Sequence, residues 1–288
     1  MAVYKRSYRG YTGARTSEWS RFAVIPRYAY RDLFHSKIMT AFFVLCYVAP
    51  LILVFLIYFA HSWGRIAALF GERGSSSPIA INEQFFLVFL NIQAVLAFIL
   101  TAFVGPGLIS SDLANRALPL YLCRPFSRAE YVLGKMSVLL ILLSLITWVP
   151  GLVLFGVQAS LAGADWLGAN LWIAWAIFAG AWIWILIVAL LALALSAWIK
   201  WRIAAGALLL AVFFVAAGFG ETIDAVLDVK WGKLINLMYL LVTVWRQLFR
   251  ELQNSDISVA SAWGMLMLIC AGCLGLLYRK VRAIEVVK

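Results

Sequence analysis

The uncharged stretch "NLWIAWAIFAGAWIWILIVALLALALSAW", residues 170–198, decides what class of protein this chain belongs to. A helix needs roughly 20 apolar residues to cross about 30 Å of hydrocarbon. This stretch is longer than that, so a helix built from it would tilt in the bilayer or protrude from it. The sequence therefore predicts a membrane-spanning helix here.

Five further apolar stretches of similar length lie on either side of it. The chain has 288 residues, of which 65% are hydrophobic, and a mean hydropathy of +0.94. Soluble domains are only about half apolar, so this chain has too few polar residues to cover a globular surface. We predict an all-α polytopic membrane protein. Its six predicted spans are residues 38–60, 84–104, 136–157, 170–198, 203–220 and 260–278.

The basic residues between the spans indicate the orientation. If both termini are cytoplasmic, 18 of the 24 Lys and Arg residues lie on the cytoplasmic side, as the positive-inside rule requires. An anionic inner leaflet attracts such a surface, so the net charge of +11 needs no nucleic acid to explain it. We predict a multi-pass protein of a bacterial or archaeal cytoplasmic (inner) membrane.

Residues 1–37 are predicted to form a cytoplasmic N-terminal arm with an amphipathic helix, residues 38–278 the six-span domain, and residues 279–288 a cytoplasmic tail. The amphipathic helix covers 17–36 and lies in the membrane interface, either as an anchor alone or also as a contact for a cytoplasmic partner. Its predicted apolar face consists of Trp19, Phe22, Ala23, Pro26, Tyr30, Leu33 and Phe34.

The predicted outer loop, residues 221–258, contains a second unusual element. Residues 234–245 are apolar but too few to span a bilayer, and Lys233 and Arg246 flank them. This pattern is typical of a re-entrant or interfacial helix before the sixth span.

The spans carry little chemistry. Charged residues are absent from their interiors, and no phosphate-binding GxxxxGK[ST] pattern is present, since Gly134 and Lys135 are followed by Met136. We therefore predict no enzyme, metal site or bound cofactor. In the second span, Asn91 and Gln93 lie about 200° apart on the helix and cannot face one cavity. One could line a pathway while the other bonds a neighbouring helix.

Residues 105–135 form a polar segment between the second and third spans, and "SSDLANRALPLYLCRPFSRAEYVLGK" covers 110–135. Gly105-Pro106-Gly107 is expected to end the second span. Ser110 or Ser111 would then cap a short helix with Asp112 in its first turn. The residues that this short helix would expose are Asp112, Asn115 and Arg116.

A second helix start follows in the same segment. Ser127 and Glu130 fit a capping box that begins the third span. Arg128, Tyr131 and Lys135 then share one helix face. The residues alone leave two interpretations open, namely a rigid element that transmits force and an ordinary loop whose charges only set topology.

This segment resembles the first cytoplasmic loop of ABC type-2 permeases, the membrane subunits of ABCG-like (type V) ATP-binding-cassette transporters. Cys123 departs from the family pattern, in which Ser is common. The matching residues are Asp112, Arg116, Leu118, Pro119, Leu120, Tyr121, Arg124, Pro125, Ser127, Arg128, Tyr131, Gly134 and Lys135.

The resemblance implies that the short helix is a coupling helix that docks on a separate ATPase subunit, which binds ATP and Mg. The implied ATPase contacts are Asp112, Asn115, Arg116, Arg124, Pro125 and Arg128. Ser127, Glu130, Tyr131 and Lys135 would hold the shape of the loop.

The implied function is the permease subunit of an ABC exporter. The alternative is an ATP-driven mechanical or assembly module that acts on an outer-side partner without moving a substrate. Expected partners besides the ATPase are a second permease copy or a paralogue, membrane lipid and an outer-side accessory protein.

Overall fold

The computed structural model describes residues 24–69, 78–115, 128–227, 231–251 and 257–280. Throughout these residues the regular structure is helical. Six helices, two of them interrupted, are long and apolar enough to cross a membrane. By helix length and hydropathy, the chain is therefore a multi-pass membrane protein, and the six predicted spans are confirmed.

The helices are described in chain order. The elbow helix is Val24–His35. Span 1 consists of Lys37–Leu45 and Val48–Leu69, span 2 is Glu83–Ala114, and span 3 consists of Arg128–Ile146 and Trp148–Ala162. Span 4 is Ala164–Trp198, span 5 is Arg202–Leu227 and span 6 is Val259–Lys280. A 3₁₀ turn, Trp231–Leu234, and the outer helix, Leu237–Leu248, lie between spans 5 and 6.

Span 4 is the central helix of the bundle. Its 35 residues extend over about 52 Å, and it packs against spans 2, 3, 5 and 6 and the outer helix. Its side chains, among them Ile185, Val188 and Leu193, are the most buried of any span. The stretch that decides the class of the protein thus also forms the core of its fold.

Each of two spans is interrupted three or four residues before a proline. A proline has no N–H to donate to the carbonyl four residues earlier. Span 1 breaks ahead of Pro50, and the freed carbonyl of Cys46 accepts a hydrogen bond of 3.0 Å from Gln93 Nε2 of span 2. Span 3 breaks at Thr147, ahead of Pro150, and the Thr147 hydroxyl donates to the Leu143 carbonyl at 2.7 Å.

The outer helix confirms the predicted short element before span 6. Its 12 residues extend over only about 18 Å, which is too short to span a bilayer. Asn236 caps its start by accepting from the Tyr239 N–H at 3.1 Å. Trp245 is wholly buried, and its Nε1 donates to the Gly180 carbonyl at 3.0 Å. The outer helix is thereby bound to the middle of span 4.

The elbow helix is amphipathic, as predicted. Pro26 is buried, Tyr30 and Leu33 are half-buried, and the charged side chains are exposed. The Tyr30 hydroxyl donates to the Val138 carbonyl of span 3 at 2.8 Å. Burial raises the pKa of Tyr30, so the phenol stays protonated and able to donate. Phe34 of the predicted apolar face is exposed, and residues 17–23 lie outside the described residues.

Candidate functional site at the junction of spans 2 and 3

Span 2 does not end where the sequence predicts. The helix continues through Gly105, Pro106 and Gly107 to Ala114. Ser110 and Ser111 do not cap a new helix, because their hydroxyls donate back to the carbonyls of Pro106 and Gly107 inside the same helix. The prediction of a separate helix that starts at Ser110 or Ser111 is therefore wrong, and residues 105–114 of the predicted coupling loop belong to span 2.

A single hydroxyl from span 4 bonds three backbone groups in the turn of span 2 that follows Pro106. Ser196 Oγ accepts from the backbone N–H groups of Ile109 at 3.2 Å and Ser110 at 2.9 Å, and it donates to the Pro106 carbonyl at 2.7 Å. These three bonds use the one donor and both acceptor positions of a hydroxyl. Ser196 thus joins span 4 to the turn of span 2 that follows Pro106, inside a helix that the proline does not end.

Asp112 joins the end of span 2 to the beginning of span 3. Its Oδ2 accepts a hydrogen bond of 2.7 Å from the Tyr131 hydroxyl and lies 2.8 Å from Lys135 Nζ. The side chains of Lys135 and Asp112 are only 10% and 14% exposed. We call Asp112, Tyr131 and Lys135 the junction cluster. Tyr131 and Lys135 share a face, as the sequence predicts.

The longer span 2 changes the electrostatic setting of Asp112. In the predicted short helix this carboxylate would lie in the first turn, where the helix dipole favours negative charge. In the structure it lies in the last turn of span 2, where the dipole disfavours it. Lys135 and Tyr131 offset that cost by supplying a positive charge and a hydroxyl donor.

The remaining predicted contacts lie around the cluster or beyond the described residues. Asn115 is the exposed C-cap of span 2, and its N–H donates to the Ser111 carbonyl at 3.0 Å. Span 3 begins at Arg128, where the capping box predicts its start, and Glu130 is half-buried in its first turn. The predicted residues Arg116, Arg124, Pro125 and Ser127 lie outside the described residues.

The two amides of span 2 bond to helices. Gln93 is wholly buried against span 1, and Asn91 Nδ2 donates to the Leu87 carbonyl of its own helix at 2.8 Å. A role of either residue in a pathway stays a prediction. Within the described ranges, no group of three or more His, Cys, Asp or Glu side chains is placed to hold a metal ion.

Sequence reasoning missed Ser196 and Arg202. Arg202, the first residue of span 5, reaches across to span 2, and its Nη2 donates to the Phe103 carbonyl at 3.0 Å. A signal for Ser196 was present, because it is the only hydroxyl-bearing residue in the stretch 170–198. No local pattern, however, indicates which backbone groups on another helix it bonds.

A comparison of the chain with protein-family models finds no match, and neither does a search of curated proteins. The resemblance of residues 110–135 to the permease loop therefore remains a prediction from the motif.

Proposed function

We propose that this chain is the permease subunit of an ATP-binding-cassette exporter, and that it converts closure of a separate ATPase into opening of a membrane pathway. The observation that carries the proposal is the junction cluster. Three positions of the resembling motif, Asp112, Tyr131 and Lys135, are bonded to one another at the point where spans 2 and 3 meet.

The cluster suits the transmission of force. A partner that pushes on the segment between Asn115 and Arg128 acts on the ends of two spans that are bonded together. Span 2 is bonded in turn to span 4 through Ser196 and to span 5 through Arg202. A displacement at the segment would therefore move several spans together, which is what a coupling element requires.

The ATPase is assigned to a separate chain because this sequence contains no phosphate-binding loop. Arg124 is the docking residue chosen for the test, since it belongs to the resembling motif. Arg246 offers the matched control, because it is a half-exposed arginine on the outer helix and not on the segment that joins spans 2 and 3.

Co-purification with the ATPase and permease-stimulated ATP turnover test the proposal. Arg124→Glu should insert normally and reduce both by about tenfold, the cost of one lost charge-assisted contact. Arg246→Glu should leave both unchanged. Equal ATPase binding and turnover in the two variants would contradict the docking role.

A second assay separates transport from the alternative of a mechanical or assembly module. Sealed inside-out vesicles that contain both subunits should accumulate a substrate when ATP is supplied. ATP turnover that depends on Arg124 without any accumulated substrate would favour the module that drives an outer-side partner.

A further inference from the structure

A cavity of about 400 Å³ lies beside the junction cluster, on the predicted cytoplasmic side. One face of the elbow helix forms one wall, and the last turns of span 2 form another. Apolar side chains, among them Val24, Leu33 and Val104, line much of it. The cavity is thus placed where the elbow helix meets the ends of the spans, at the depth expected of lipid head groups.

Two opposite charges line this cavity from different helices. Asp32 is on the elbow helix and Arg202 is at the start of span 5. Arg202 uses one N–H on the Phe103 carbonyl and keeps the other donors of its guanidinium. Among the residues that the structure describes, Asp32 forms no salt bridge. Asp112 and Lys135 also line the cavity, but they are bonded to each other.

Gly107 makes room for the arginine. A Cβ at residue 107 would lie 3.1 Å from Arg202 Nε, which is closer than ordinary van der Waals contact, and 3.4 Å from its Cδ. A side chain at residue 107 would therefore require the Arg202 stem to shift by a few tenths of an ångström. The side chain of Arg202 is exposed, and its hydrogen bond to the Phe103 carbonyl holds the guanidinium beside span 2 at the cavity.

We propose that this cavity binds the head group of phosphatidylethanolamine from the surrounding leaflet. Its phosphate would contact the free guanidinium donors of Arg202, and its ammonium would donate to the Asp32 carboxylate. The apolar wall would contact the glycerol and upper acyl chain. A separated positive and negative group fit a zwitterion better than an anionic lipid, which offers no cation to Asp32.

The ammonium distinguishes this lipid from its relatives. Phosphatidylcholine has the same phosphate but no N–H to donate, and phosphatidylglycerol has no cation. A lipid bound here would connect the elbow helix with spans 2 and 5 next to the junction cluster. The inference depends on the membrane class of the chain and not on the proposed transport function.

Native mass spectrometry of the full chain tests the inference, with the three lipids carrying identical acyl chains. Phosphatidylethanolamine should bind about tenfold more tightly than phosphatidylcholine or phosphatidylglycerol, since one charge-assisted hydrogen bond separates them. Equal binding of the three lipids would overturn the proposal. Free phosphoethanolamine that binds as tightly as the lipid would also overturn it, because the site would then take a soluble ligand.

Variants assign the two ends of the head group. Asp32→Asn should abolish the preference over phosphatidylglycerol, and Arg202→Gln should weaken binding of all three lipids by about tenfold. Ala29→Leu narrows the cavity without changing a charge and should also weaken lipid binding. This variant tests the site if Arg202→Gln does not fold.

The controls are Arg27→Gln, exposed on the elbow helix, and Asp165→Asn, exposed at the opposite end of the bundle. An unchanged lipid preference in Asp32→Asn would contradict the assignment.

Discussion

Asp112 and Lys135 hold opposite charges in a nearly buried position, so neither charge is well solvated without the other. This pair, with Tyr131, is the link between spans 2 and 3 on which the account depends. Removing one charge should therefore cost more than removing both.

Asp112→Asn should lower the free energy of unfolding by about 2–3 kcal/mol, because it leaves the Lys135 ammonium nearly buried without a counter-charge. The measurement is a denaturation curve in detergent or lipid. Asp165→Asn, the same change at an exposed position, should have little effect. The double variant Asp112→Asn/Lys135→Met should recover part of the loss, and a double variant as unstable as the sum of its single changes would contradict the pairing.

Ser196 is the second residue whose side chain should contribute measurably to the stability of the bundle. Ser196→Ala should lower the free energy of unfolding by about 1–3 kcal/mol, because buried backbone groups of Ile109, Ser110 and Pro106 lose a partner. Ser160→Ala, which removes an exposed hydroxyl that bonds only its own helix, is the matched control. Equal stability of the two variants would show that the three bonds of Ser196 do not stabilise the protein.

At the scale of elements, the sequence predicts the helices and helix ends that depend on composition or on residues close together in the chain. The six spans, the elbow helix, the short outer helix and the start of span 3 at Arg128 all follow from apolar runs and capping patterns. The end of span 2 does not, because the continuation of a helix through a Gly-Pro-Gly run depends on contacts with other elements. Here Ser196 and Arg202 bond backbone groups on the two sides of that run from roughly 90 or more residues away.

The same limit applies to the junction cluster. The spacing of Tyr131 and Lys135 predicts their common face, but only the packing of span 2 beside span 3 brings Asp112 to them. The prediction places Asp112 in the first turn of a short helix, whereas the structure has it in the last turn of a longer one. This difference changes its partners and its role.

The contact between span 5 and the 3₁₀ turn depends on two glycines that face each other. A Cβ on Gly220 would overlap the Gly232 carbonyl, and a Cβ on Gly232 would overlap the Gly220 carbonyl. Asp224 of span 5 also accepts from the Gly232 N–H at 2.7 Å. The close approach of these two backbones positions the chain for the outer helix.

Gly220→Ala should therefore cost about 1–3 kcal/mol of unfolding free energy through overpacking. Gly218→Ala is the matched control in the same helix, because open space surrounds that position, and it should be neutral or stabilising by up to about 1 kcal/mol. Thermal denaturation of the two variants measures this difference in stability. A Gly220→Ala protein as stable as Gly218→Ala would rule out the tight contact.

For the whole molecule, an even number of spans places the described ends of the chain, Val24 and Lys280, on one side of the bundle. The Lys and Arg bias predicts that this side is cytoplasmic. A fluorescent protein that folds only in the cytoplasm should therefore fluoresce when fused after Lys288. Alkaline phosphatase fused after Gly163, between spans 3 and 4, should be active. The reverse pattern would invert the orientation and place the junction cluster outside.

The central claim is that a partner ATPase docks at the segment that joins spans 2 and 3. The most direct measurement is cross-linking from a single cysteine, introduced as Asn115→Cys into a chain whose four native cysteines are replaced, after assembly with the ATPase. Asn115 is exposed at the end of span 2, and Ser160→Cys provides an exposed control position near the opposite end of span 3. The account predicts a cross-link to the ATPase from residue 115 and none from residue 160. An assembled complex that gives no cross-link from residue 115, or equal cross-links from both positions, would contradict it.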